Sequence, residues 1–318
     1  MRAIPRQLQD RPFTQVQARQ AGVSARMLMG KRFVRLFPRV YRYVEREMSF
    51  HDWIVAARLA LPEDARLTGI SRIQQAGCDY GPRWPLRFVV ARDHHIVIKG
   101  VFLHRTVQMP PNDDEGVTLA AAYLAYCKRA RVIDAIKVGD WLLRNGVTKA
   151  DVRNLGLSQP WRDGAVEALW MLEHLDERSR SLPESEVRSI LKFAGLEQPE
   201  VNRAIELEDG LVVTPDLLYR QSGVVVEYEG AQHQEDRRQY LGDLDRYAAY
   251  RCHGVPYVQV TKERVQHPQT LCGVIYRELV GAGYEGPPPV FGERWSMLFG
   301  SVSNAVGPPE RRSRVQAV

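Results

Sequence analysis

At 318 residues, with 44% apolar and 26% charged residues and a net charge of +6, the chain is too long for one ordinary core and too apolar for disorder, which predicts two or three globular domains. No apolar run approaches the roughly 18 residues that cross a bilayer, and the opening MRAIPRQLQDRPF lacks the apolar block of a secretory signal, so no membrane partner and a cytoplasmic location are expected. Cys78, Cys127, Cys252 and Cys272 never form a CxxC pair and read as buried, reduced thiols, not as a disulfide frame or zinc knuckle.

Charge is unevenly spread. Residues 1 to 46 hold eleven basic residues against two acidic ones, a net of +9, so the remainder sums to −3. Within that stretch Thr14 and Gln17 have capping-box form, predicting a short helix to about Gln20 that Ala21-Gly22-Val23 stops. Ser24 can cap a second short helix to about Lys31, and the β-branched and aromatic run from Phe33 to Val44, broken at Pro38, fits a hairpin. Two helices and a basic hairpin over residues 1–48 make a winged helix-turn-helix, with DNA as partner and Ser24, Arg26, Lys31, Arg32, Arg35, Arg39 and Arg42 as candidate contacts. A solvated basic face on a docking domain is the alternative. The stretch resembles the amino-terminal domain of AbiEi-type antitoxins in Ala18-Arg19-Gln20-Ala21-Gly22-Val23-Ser24, Phe33-Val34-Arg35-Leu36 and Val40-Tyr41-Arg42. It departs at Arg39, where those relatives carry glycine in the turn.

Residues 49–177 read as a middle α+β domain. Helical periodicity covers Trp53–Leu59, Leu119–Cys127, Val132–Arg144 and Val166–Leu175, and strands are expected at Leu86–Ala91, His95–Ile98 and Val101–His104. His94, His95 and His104 lie among those strands without a second cluster at metal spacing, and read as surface residues. A homodimer or a partner protein bound through this domain is the expected role. The polar run 176–181 marks a boundary.

In the third domain, 178–283, Ser181-Leu182-Pro183-Glu184 opens a helix that Gly195 ends, with Val187, Ile190, Leu191 and Ala194 on one face. Strands at Val201–Leu207 and Leu211–Tyr219 flank the turn signal Glu208-Asp209-Gly210, and Gln221-Ser222-Gly223 turns into a third strand, Val224–Gly230. A helix from about Gln234 to Cys252, with Tyr240, Leu241, Leu244, Tyr247 and Ala248 as its apolar stripe, and a strand from Val255 to Thr261 complete an α-β-β-β-α-β order. Residues 284–318, with Pro287-Pro288-Pro289, read as an extended or partly disordered tail in which Trp295, Met297, Leu298 and Phe299 could dock as a short helix.

Strand periodicity of two puts Glu227 and Glu229 on one face, and a symmetric turn at Gln221–Gly223 brings Asp216 across from them. Three carboxylates on one face repel unless a cation neutralises them, and oxygen ligands select Mg2+ or Mn2+. Such an ion lowers the pKa of bound water and stabilises a phosphate transition state, which points to phosphodiester hydrolysis. Taken singly, Glu184 capping a helix, Asp216 following Pro215 in a turn, or glutamates guarding an edge strand would each be structural.

Pro215-Asp216 followed by Glu227-Tyr228-Glu229 resembles the PD-(D/E)xK nuclease superfamily, closest to its branch related to very-short-patch-repair endonucleases. Glu184-Ser185, Arg188, Leu191, Gly195-Leu196, Pro199, Gly230, His233, Asp245-Arg246 and Gly254 extend the likeness over about eighty residues. The resemblance implies Asp216 as principal metal ligand, Glu227 as second, Glu184 acting through water and His233 as a proton-transfer group. Glu229 stands where the superfamily has lysine. The expectation is an α+β multidomain DNA endonuclease; the alternative is an antitoxin-like transcriptional regulator carrying a degenerate nuclease fold.

Overall fold

The computed structural model describes residues 4–92, 96–229 and 237–307, with the backbone alone over 237–244. It is a mixed α and β protein, and the chain divides into two compact units after Ala125. Among the described residues no helix is long and apolar enough to cross a membrane.

The first unit opens with β1 (Phe13–Thr14), α1 (Gln15–Gln20) and α2 (Ala25–Leu28), followed by β2 (Phe33–Phe37) and β3 (Val40–Tyr43). Thr14 and Gln17 form the full reciprocal capping box, and the Ser24 hydroxyl accepts from the Met27 N–H. α2 ends at Leu28, one turn earlier than its pattern suggests. The hairpin joins β1 in the order β1-β3-β2. Leu8, Phe13, Ala18, Val23, Leu28 and Phe33 make its small core.

α3 (Phe50–Ala60), β4 (Arg66–Leu67), α4 (Gly69–Gln75), β5 (Leu86–Val90), β6 (Val101–Arg105) and α5 (Leu119–Cys127) follow. β5 pairs antiparallel with β4 and parallel with β6. Phe37 and Val40 of the hairpin bury with Ile54, Leu67, Leu86 and Phe88 in one core, so no break in packing falls at residue 48. His104 lies half-buried on β6; His94 and His95 lie outside the described residues. Ile98 makes only an isolated bridge to Val101 in place of the expected strand.

The second unit starts with three helices, α6 (Val132–Arg144), α7 (Lys149–Ser158) and α8 (Ala165–Met171), then α9 (Leu182–Phe193). Five strands follow: β7 (Glu200–Val201), β8 (Ile205–Glu206), β9 (Val212–Val213), β10 (Leu217–Tyr219) and β11 (Val224–Glu229). After α10 (Arg237–Cys252) come β12 (Tyr257–Thr261), α11 (Lys262–Val265), α12 (Pro268–Gly281), α13 (Glu293–Phe299) and α14 (Val302–Val306).

The order within the sheet is β12-β11-β10-β7, with β11 parallel to β12 and antiparallel to β10. The two long strands expected before residue 219 are each split. Asn202, with φ 46, and the Pro215 segment bend the chain, so β8 and β9 form a separate ribbon that Gly210 turns. α9 lies between the sheet and α6, where the Arg188 guanidinium meets the buried Asp140 carboxylate at 2.7 Å and Lys137 pairs with Glu186. The expected boundary near 177 therefore runs through a packed interface inside one unit.

Within the tail, Trp295 to Phe299 fall on the short docked helix α13 that the sequence allows, and α14 follows it. Trp295 and Leu298 of α13 and Val302 and Val306 of α14 are buried, and Val132 N–H donates to Gly300 O. Cys252 is exposed, while Cys78, Cys127 and Cys272 are buried free thiols, which corrects the expectation of four buried ones.

Candidate active site

Alternation along β10 and β11 sorts the side chains onto two faces. Leu218 and Val225 pack with Tyr247, Ala249 and Tyr250 of α10, so Asp216, Glu227 and Glu229, in phase with them, lie on the α10 face. Leu217 opposes Val226 and Tyr219 opposes Val224, which sets Asp216 against Glu227 one step past the last paired residues. This is the cross-strand relation inferred from the Gln221–Gly223 turn.

Glu227 is fully buried. The Tyr250 hydroxyl donates to its Oε1 at 2.7 Å, and Arg246 Nη2 stands 3.3 Å from its Oε2. The Asp216 Oδ2 accepts the Tyr228 N–H at 2.8 Å, between the two glutamates. Burial first, then the Glu227 and Asp216 carboxylates, push the Tyr250 hydroxyl pKa upward; burial and Glu227 push that of Tyr247 up to about 12. Glu229 is half-buried beside Thr261 of β12.

Glu184 is buried at the start of α9, and its N–H donates to Ser181 Oγ. Its carboxylate does not return to Ser181, as a reciprocal capping box would. Oε2 accepts instead from the Arg180 N–H and from Asn202 Nδ2, both at 2.8 Å. The Asn202 N–H donates in turn to the Asp216 carbonyl at 3.0 Å. Asn202 thus ties Glu184 to the strand end that carries Asp216. His233 lies outside the described residues.

Among the described residues no group of three or more His, Cys, Asp and Glu side chains is gathered as a finished ligand set. Asp216 and Glu227 engage protein donors, and both offer hard oxygens on one face, the donor chemistry that suits Mg2+ or Mn2+. The chain matches no protein-family model, no curated protein and no solved structure.

Three residues of this site carried no assigned role in the sequence. Arg246 and Tyr250 are four apart on α10 and so share a helix face, a signal that is legible, but which strand residue that face meets depends on packing. Asn202 gave no signal.

The basic residues of the first unit fall into two groups. Arg26, Lys31, Arg35 and Arg39 are exposed. Ser24 caps α2, Arg32 is half-buried near Tyr43, and the Arg42 guanidinium donates to the carbonyls of Tyr43, Val44 and Arg46, closing the loop after β3. In this conformation Arg42 acts as a staple. Arg39 takes φ 62 after Pro38, the left-handed conformation that the second central position of a type II turn requires.

Proposed function

We propose that the chain is a Mg2+- or Mn2+-dependent DNA endonuclease of the cytoplasm, with residues 178–283 as a restriction-endonuclease-like core and the amino-terminal helix-turn-helix and wing gripping duplex DNA. The observation that carries this reading is the register that opposes Asp216 to Glu227, with the Asp216 carboxylate hydrogen-bonded between Glu227 and Glu229. Asp216 and Glu227 would hold the metal, with Glu229 beside them. When bound, the ion would supply an activated water and charge stabilisation at the scissile phosphate. Water oxygen bonds to phosphorus, the bond to the leaving sugar oxygen breaks, and that oxygen takes up a proton.

Asn202 holds the backbone of Asp216 against Glu184, Tyr250 orients Glu227, and α10 covers the sheet face against water. Arg26, Lys31, Arg35 and Arg39 supply exposed cations for the phosphate backbone. The test is nicking of supercoiled plasmid with Mg2+ or Mn2+: wild type should nick and Asp216→Asn should not. Equal nicking by the variant would sink the site assignment.

A second reading is an antitoxin-like DNA-binding regulator with a degenerate nuclease fold, favoured by Glu229 at the lysine position. It predicts operator binding lowered by Arg26→Ala and no calorimetric heat with Mn2+.

A further inference from the structure

The departure at Glu229 leaves a site of carboxylates without the ammonium that the resemblance implies, yet α10 brings a positive charge to the same place. Arg246 and Tyr250 stand one helical turn apart and divide the Glu227 carboxylate between them, the hydroxyl on Oε1 and the guanidinium on the Oε2 side. Glu227 has no exposure at all, and the Arg246 side chain retains 29% of its own. One end of this arrangement is sealed and the other opens to solvent.

A carboxylate with no access to water is costly to keep ionised unless a charge of opposite sign lies beside it. Tyrosine can orient such a group but cannot neutralise it. A guanidinium stays protonated at any pH the protein would meet, so it neutralises the carboxylate but cannot act as a general base. Its partial exposure leaves it within reach of an incoming anionic group, as a fully buried cation would not be.

We propose that Arg246 is the cation of this site, supplying from the helix the positive charge that Glu229 does not supply from the strand. It pairs with and orients the Glu227 carboxylate, would compete with a divalent ion for it, and would lend its charge to a bound phosphate. Arg246 is on this account a positioning and charge-balancing residue. The inference rests on the nuclease reading of Asp216 and Glu227.

The experiment is a calorimetric Mn2+ titration at pH 8, run beside plasmid nicking, on the full chain and its variants. Arg246→Lys keeps the charge and should match wild type in metal affinity. Arg246→Met removes a competing cation and should bind Mn2+ about tenfold more tightly while nicking falls about a hundredfold, the usual cost of losing one charge-stabilising donor. A loss of folding would weaken metal binding, so the tightening is not open to a merely structural explanation. Adding Glu229→Lys to Arg246→Met should return affinity to near the wild-type value and restore nicking to within about tenfold, whereas adding Glu229→Gln should not restore nicking. If methionine is not accommodated, as thermal melting would reveal, Arg246→Gln carries the same expectations. Unchanged or weaker Mn2+ binding on loss of the charge, or a lysine at 229 that restores nothing, overturns the proposal while leaving the nuclease reading intact. Absence of Mn2+ uptake by wild type and all variants overturns both.

Discussion

The Asp216 carboxylate accepts the backbone N–H of Tyr228 at 2.8 Å, joining the two strands beyond their last paired residues, Leu217 and Val226. The same side chain thus has a structural and a proposed chemical duty, and two substitutions separate them. Asp216→Asn keeps an acceptor for that N–H and should lower stability by less than about 1 kcal/mol; Asp216→Ala leaves it without one and should cost about 1–3 kcal/mol. Both should abolish nicking. Denaturant melts of the two variants check the first part, and equal stability losses would show that the hydrogen bond contributes nothing.

Arg39 offers the opposite separation. Its φ of 62 is left-handed backbone, which an L side chain occupies at a cost of about 1–2 kcal/mol and glycine does not. The turn is held there by the Phe37–Val40 pairing and by the Gln15 N–H on the Arg39 carbonyl. Arg39→Gly should therefore raise the melting temperature by a few degrees and weaken duplex binding, lowering the slope of log affinity against log salt by about 1. A stabilised variant with unchanged DNA affinity would remove Arg39 from the interface.

These two sites also show where sequence reading works and where it stops. The Asp216–Glu227 opposition was legible because a strand's side-chain period is fixed and a short turn sets the register on both sides. The hairpin turn was legible too, and arginine in place of glycine did not change the conformation the turn requires. The split of the strands at Asn202 and at Pro215-Asp216 was not, because each bend is a backbone response to packing with no composition of its own. α7 is marked in the sequence by its start and not by its apolar period, since Thr148 and Asp151 form a complete capping box. α13 was legible as a short docking helix because Trp295 and Leu298 are spaced to share a face, whereas α14 beyond it carried no such pattern.

The buried Asp140–Arg188 pair joins α6 to α9, and the Asp176 N–H donates to the second Asp140 oxygen at 2.7 Å. Removing one partner leaves an uncompensated charge where water cannot reach it. Asp140→Ala or Arg188→Ala should each cost about 3–5 kcal/mol, while replacing both with apolar residues of similar volume should recover much of that loss. Urea melts of the two single variants and the double close the cycle. Additive losses would show that the pair does not act as a unit.

His174 predicts the pH response of the second unit. It lies buried, its ring 4.5 Å from that of Trp170 and 5.2 Å from that of Phe193. Burial first, then the charges of Lys192, Arg188 and Arg294, lower its pKa to about 3. Glu173 approaches its Nε2 at 3.2 Å, but that carboxylate is mostly in solvent and offsets little. The folded histidine therefore remains neutral at pH values where the unfolded one, near 6.5, takes a proton. The unfolded state binds more protons between about 3 and 6.5, so stability falls as pH falls through that window, by about 2 kcal/mol between pH 7 and pH 5. His174→Gln carries no titrating group and should melt at a temperature that changes less over the same range, though from a lower plateau. A variant with the wild-type slope would assign the acid sensitivity to other groups.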